Sequence, residues 1–147
     1  MNSVDSDKAA SPATASDSAE LIAKLAYATP ETAPLVPGRR EFFKYRDLGV
    51  TDATDGRMRA QLTIATGDMQ QTGWHYHLCE SQFIFTLRGW VDLLIEDGRK
   101  IRVSAGESLL IPGGLKHNEI AISQDFELLE VSVPAPGVTI VVASEFS

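Results

Sequence analysis

The chain has 147 residues, with 13 Lys plus Arg against 20 Asp plus Glu, a formal net charge of −7 and a hydrophobic fraction of 44%. That suits one ordinary domain with apolar residues enough for one core. Lys and Arg are nowhere clustered, which argues against a nucleic-acid or acidic-membrane partner, and no apolar run approaches the roughly 20 residues needed to span a bilayer.

The N-terminal stretch MNSVDSDKAASPATASDS carries too little apolar area to offset the cost of ordering and is expected to be a disordered tail. It has no apolar core of the kind a secretory signal needs. It also bears Asp5, Asp7 and Asp17, where organelle transit peptides avoid acids, so a soluble cytoplasmic protein is expected. Asp17 to Tyr27 then reads as a short amphipathic helix with the stripe Leu21, Ile22 and Leu25, stopped by Pro30 and packing on the domain or on a neighbouring subunit. Pro30 to Pro37 reads as a linker, which divides the chain into 1–37 (tail, helix and linker) and a domain over 38–147.

After Gly38 short apolar runs recur, broken by Gly, Asp and Pro: EFFKYRDL, RMRAQLTIA, GWHYH, QFIFTLRG, WVDLLIED, RKIRVSA, ESLLIP, KHNEIAIS, FELLEVSVP and VTIVVAS. Their Val, Ile, Phe, Thr and Tyr content, with turn signals such as Glu96-Asp97-Gly98, predicts an antiparallel all-β domain. A closed barrel or two-sheet jelly roll is the expected arrangement, because it removes or shortens exposed edges. The single cysteine, Cys79, excludes an internal disulfide and agrees with a reducing compartment.

The chemistry concentrates in the histidines, of which there are three. His75 and His77 flank Tyr76 on a predicted strand, so period-2 alternation points both rings to one face. Such a pair suits a transition metal, since imidazole nitrogen binds zinc, iron, nickel, manganese and copper. His117 opens a later β segment, after the turn Pro112-Gly113-Gly114. Cys79 continues the alternation and offers a His/His/Cys zinc set as an alternative.

These surroundings resemble the two motifs of the cupins. Gly73, His75, His77 and Gly89 fall at the positions of the first motif, and Gly106-ESLLI-Pro112-Gly113-Gly114-LK-His117 matches the second at every named position. The sixteen residues between Gly89 and Gly106 suit the short connection of small single-domain microbial cupins. The resemblance covers roughly Phe42 to Pro134. It implies a single jelly-roll β-barrel holding one divalent transition metal (Fe, Mn, Ni or Zn), and pairing into a homodimer through its sheets.

The chain departs from the family at the fourth metal position, where most metal-binding cupins that resemble it carry Glu. Here the register puts Gln82, on one face with Ile84 and Thr86. Glu80 is out of register and a weak alternative. An amide oxygen can ligate a cation but brings no charge, so His75, His77, His117 and Gln82 would leave the site at about +2. Such a site favours an anionic, chelating small-molecule substrate. The H-x-H-x4-Q spacing is similar to that of a cupin which opens an unsaturated uronate in pectin breakdown.

Glu130 shares a face with Leu128 and Ser132 on the late strand, where similar cupins place an acid–base residue facing the metal. Glu119 points the same way as His117 and is a candidate to orient an imidazole or move a proton. Arg59 and Gln61 share a strand face, and Arg59 is read as a solvated charge that can alternatively clamp a carboxylate. Trp74, Tyr76 and Trp90 are read as core or interface. The function these residues imply is a metal-dependent enzyme on a small organic acid or carbonyl compound, of isomerase, lyase or dioxygenase type. The alternative is a binding module that holds a metal and a small ligand without reaction.

Overall fold

The computed structural model describes residues 15–143. The chain forms α1 (Ala15–Ala23), β1 (Val36–Pro37), β2 (Phe43–Asp47), α2 (Val50–Ala53), β3 (Arg59–Ala65), β4 (His75–Leu78), β5 (Ser81–Arg88), β6 (Trp90–Ile95), β7 (Lys100–Ser104), β8 (Ser108–Pro112), β9 (His117–Ile122), β10 (Glu127–Val133) and β11 (Val138–Val141). Every apolar run singled out after Gly38 contains one strand. The sequence signal missed the two-residue β1 inside the expected linker, and the single turn of α2.

The tail expected to be disordered lies largely outside the described residues. The helix begins before Asp17 and stops at Ala23, short of the expected Tyr27. It closes through tight i→i−3 bonds, Lys24 N–H to Leu21 O at 3.1 Å and Leu25 N–H to Ile22 O at 3.1 Å, before Pro30 is reached. Its apolar stripe does not pack on the barrel: Leu21, Ile22 and Leu25 are 59%, 65% and 77% exposed.

Two antiparallel sheets face each other, one of six strands in the order β1-β2-β3-β10-β5-β8 and one of five in the order β11-β4-β9-β6-β7. This is the jelly-roll barrel that the alternating strands predict. On β5, Gln82, Ile84 and Thr86 are buried while Phe83 and Leu87 lie outside, as a strand with one face on the core requires. Phe43, Ile84, Val91, Leu93, Ile95, Val103, Ile111, Phe126 and Leu128 form the core between the sheets.

Two glycines set the motif turns. Gly89 adopts φ +64° between β5 and β6, and a Cβ there would fall 1.8 Å from Ser123 Oγ, which accepts the Trp90 N–H at 2.9 Å. Gly113 lies against backbone: a Cβ would sit 1.6 Å from the Cys79 carbonyl oxygen. No helix among the described residues is long and apolar enough to cross a membrane.

Candidate metal centre

The five-stranded sheet carries all three histidines. His75 and His77 alternate on β4, and His75 is the cross-strand partner of His117 on β9. The turn before His117 is tied to the first motif: Gly114 N–H donates to His77 O at 3.1 Å and Gly113 N–H to Glu80 O at 2.9 Å. These bonds join two segments far apart in the chain and bring the rings together. Ring centroids are 4.5 Å apart for His75–His117, 5.2 Å for His75–His77 and 5.3 Å for His77–His117. One nitrogen of each ring lies within 4.8 Å of the others, so the three can hold a metal ion.

The outer nitrogens are each engaged. His75 Nδ1 meets Gly73 O at 2.7 Å, His117 Nδ1 meets Leu115 O at 2.9 Å, and His77 Nδ1 meets Thr139 Oγ1 at 3.1 Å. A carbonyl only accepts, so Nδ1 of His75 and of His117 carries the proton and Nε2 keeps its lone pair. Burial lowers the pKa of His75, and burial together with neighbouring His117 and His75 pushes His77 down to about 4. Those two rings are therefore neutral at pH 7, the form that ligates metal.

Glu119 sits beside them on β9, its Oε2 3.3 Å from His75 Nε2 and its Oε1 3.9 Å from His117 Nε2. Thr72 Oγ1 donates to Glu119 Oε2 at 2.5 Å. Burial raises the Glu119 pKa, whereas positive charge at the His75 and His117 rings, with the Thr72 hydroxyl, brings the carboxyl below its ordinary value; with the rings neutral, that charge has to come from a bound cation. A carboxylate oxygen and an imidazole lone pair are both acceptors. At 3.3 Å they repel unless a proton or a cation lies between or beside them. His117 Nε2 is moreover buried without a hydrogen-bond partner. The site fits a cation on both counts.

The six-stranded sheet supplies the facing wall. Gln82 on β5 is buried and donates through Nε2 to Glu130 Oε1, which leaves Gln82 Oε1 buried and without a partner. Glu130 also accepts from Arg59 Nη2, Gln61 Nε2 and Thr63 Oγ1, each at 3.3 Å. Arg59 is thus not the solvated charge that the sequence suggests: at 25% side-chain exposure it is paired to Glu130 inside the barrel mouth. Registry explains the meeting, because Glu130 lies opposite Gln61 on β3 and opposite Ile84, next inward residue to Gln82, on β5.

Between the two walls lies a cavity of about 200 Å³ lined by His75, His77, Gln61, Gln82, Glu119 and Glu130 and by core residues. Tyr45, Thr72, Thr139 and Arg39 belong to it and were not singled out from the sequence. The alternation of FKYRD on β2 could have found Tyr45, whereas Thr72 lies in a loop that carries no periodic signal. Two alternatives are not assembled. Glu80 is exposed in the β4–β5 turn, and Cys79 lies in the same turn, outside the three-histidine cluster.

Comparisons place this architecture. Residues 61–132 match the family profile described as Cupin domain. No curated protein matches. Among solved structures, KdgF from Halomonas sp. superimposes with a TM-score of 0.62 at 15% identity, over 75% of this chain and 94% of that one. The polyketide cyclase RemF from Streptomyces resistomycificus gives 0.62 at 21% identity, over 80% and 87%. The DMSP lyase DddQ from Ruegeria pomeroyi DSS-3 gives 0.58 at 16% identity, over 82% and 62%. At these identities the likeness is one of fold.

Proposed function

The chain carries a cupin domain, and from that premise we propose that it is a metal-dependent enzyme acting on a small, anionic organic acid or carbonyl compound. The observation that carries this reading is the convergence of His75, His77 and His117 with their outer nitrogens tied down, against a carboxylate that needs a positive charge beside it. His75, His77 and His117 would hold one divalent ion (Fe, Mn, Ni or Zn), with Gln82 Oε1, buried and unbonded, as the fourth donor. When bound, such an ion supplies Lewis acidity toward a substrate oxygen.

The chain's own residues do the rest. Glu119, held at Oε2 by the Thr72 hydroxyl, is placed to take or return a proton at Oε1 beside the metal donors. Glu130 fixes the amide of Gln82 so that its oxygen, not its NH₂, remains free. The apolar floor between the sheets excludes water. The fold neighbours include a polyketide cyclase and a lyase, which supports an isomerase- or lyase-type reaction, and oxygen uptake on turnover would mark a dioxygenase instead.

Metal analysis of purified protein tests the reading. Wild type should carry close to one equivalent of transition metal, and His75→Ala should lose most of it; equal metal in both would overturn the proposed site. Turnover of keto acids, diketones and unsaturated uronates by the loaded protein then tests for an enzyme. A second reading, a module that binds metal and ligand without reaction, is favoured by one observation: Glu130 already accepts from Arg59, Gln61, Thr63 and Gln82 and has little capacity left as a base. Tight ligand binding with no turnover would select it.

We further propose that the chain forms a homodimer through the outer face of the six-stranded sheet. There Val131, Phe83 and Leu110 stand in register on three neighbouring strands, and Phe83 and Leu110 are 38% and 56% exposed.

A further inference from the structure

Resting on the proposed metal site, and naming what that site takes, we propose that the cavity binds a single-ring, largely apolar anion and not a polyhydroxylated sugar acid. The ligand is an aromatic or alicyclic carboxylate or enolate with its oxygens toward the histidines.

Size sets the first limit. A dry cavity of about 150 Å³ accommodates benzene, so the 200 Å³ here fits one ring with an oxygenated head. The floor sets the second. Phe43, Ile84, Leu93, Ile111, Phe126 and Leu128 line the cavity, and none is more than 9% exposed. Together they present aliphatic and aromatic carbon from both sheets to whatever lies above them.

The polar side chains of the wall set the third limit, because most already bond one another. Arg59, Gln61, Thr63 and Gln82 all donate to Glu130, Thr72 donates to Glu119, and Thr139 meets His77. A sugar acid would carry several hydroxyls into this space. Each stripped of water without a new partner costs roughly tenfold in affinity. A ring edge or face asks nothing of those groups and gains by leaving water.

Charge fixes the head. Glu130 faces Arg59, so Glu119 stands alone against a divalent ion and Arg39, which also lines the cavity. The excess is positive and lies toward the histidines. An anionic, chelating oxygen pair is drawn there, and the ring behind it falls on the apolar floor.

Salicylate and galacturonate make the contrast, each a single six-membered ring with one carboxylate but opposite in hydroxylation. The full-length protein is loaded with zinc or stripped with a chelator, and each form is titrated by calorimetry and examined by saturation-transfer NMR. The loaded protein should bind salicylate at least about a hundredfold more tightly than galacturonate. In both forms saturation should reach the salicylate ring protons and not the sugar ring. Equal or tighter binding of galacturonate, or saturation of its ring protons, overturns the inference. Failure of the wild type to retain zinc would instead overturn the metal site alone, because the ring preference is still read in the stripped protein.

Discussion

Gln82 and Glu130 show how much one amide decides. Glu130 takes the amide NH₂ and so turns the Gln82 oxygen away from itself, which an acid at position 82 would not allow. Gln82→Glu, the acid that the family resemblance leads one to expect there, would put two carboxylates in contact where the side chains are mostly buried. One must then be protonated or the pair repels. That single change should cost about 2 kcal/mol, and adding Glu130→Gln should recover most of it, a coupling readable by a double-mutant cycle in urea. The swapped pair should also hold its metal more tightly than wild type, because the new carboxylate adds charge to the donor set. A double variant whose loss of stability equals the sum of the losses in Gln82→Glu and Glu130→Gln alone would show that the two side chains do not interact.

A second residue-scale effect lies outside the site. Asp92 is 3% exposed, and Arg102 contacts it through two nitrogens at 2.7 and 2.9 Å while stacking 3.8 Å over the Trp90 ring. The Arg102 guanidinium holds the Asp92 carboxyl below its ordinary value. A group whose folded pKa is depressed stabilises above its unfolded pKa and loses that contribution as pH falls through the folded one. The melting temperature of Asp92→Asn should therefore fall below wild type at pH 7, and the gap should begin to narrow as pH falls below about 4. A gap that is constant from pH 7 to pH 3 would remove the pair from the account.

At the scale of elements, the turn Pro112–Gly114 is the joint on which the histidine cluster depends. Its two amides bond to Glu80 and to His77, and Gly113 leaves no room for a side chain against the Cys79 carbonyl. That obstacle is backbone and cannot move aside like a flexible side chain. Gly113→Ala should cost roughly 4 kcal/mol or more, or abolish the cooperative melt. Gly98, in the β6–β7 turn, meets nothing within 4 Å of an added Cβ, so Gly98→Ala is limited to the strain of its φ of +90°. A Gly113→Ala variant as stable as Gly98→Ala would mean the turn is not clamped. α1 behaves differently, because its apolar stripe has no cover among the described residues, and its helical pattern alone says nothing of what it touches.

At the scale of the molecule, two sheets enclose the metal-site cavity and leave an apolar outer face. The inner face of the six-stranded sheet carries Gln61, Thr63, Gln82 and Glu130; its outer face carries Phe83, Phe85, Leu110 and Val131 in neighbouring rows. Sedimentation equilibrium should give twice the 16.0 kDa chain mass, and Phe83→Glu or Leu110→Glu should give the single chain with its metal content unchanged. A wild type that sediments as one chain would overturn the dimer.

By itself the sequence determined all the strands but β1 and the two-sheet class, and it singled out the three histidines that the fold brings together. Alternation and turn residues are local signals, and the resemblance to the two family motifs joins His117 to His75 and His77. It did not reveal that Arg59 pairs with Glu130, that Glu130 rather than a ligand takes the Gln82 amide, or that Thr72 anchors Glu119. These are contacts across 71, 48 and 47 residues of chain. They exist only once strand order and register bring β3, β5 and β10 side by side and a loop residue against β9. Helix α1 illustrates the same limit, since an apolar stripe records a tendency to be covered, and only the folded molecule shows that the stripe stays exposed among the described residues.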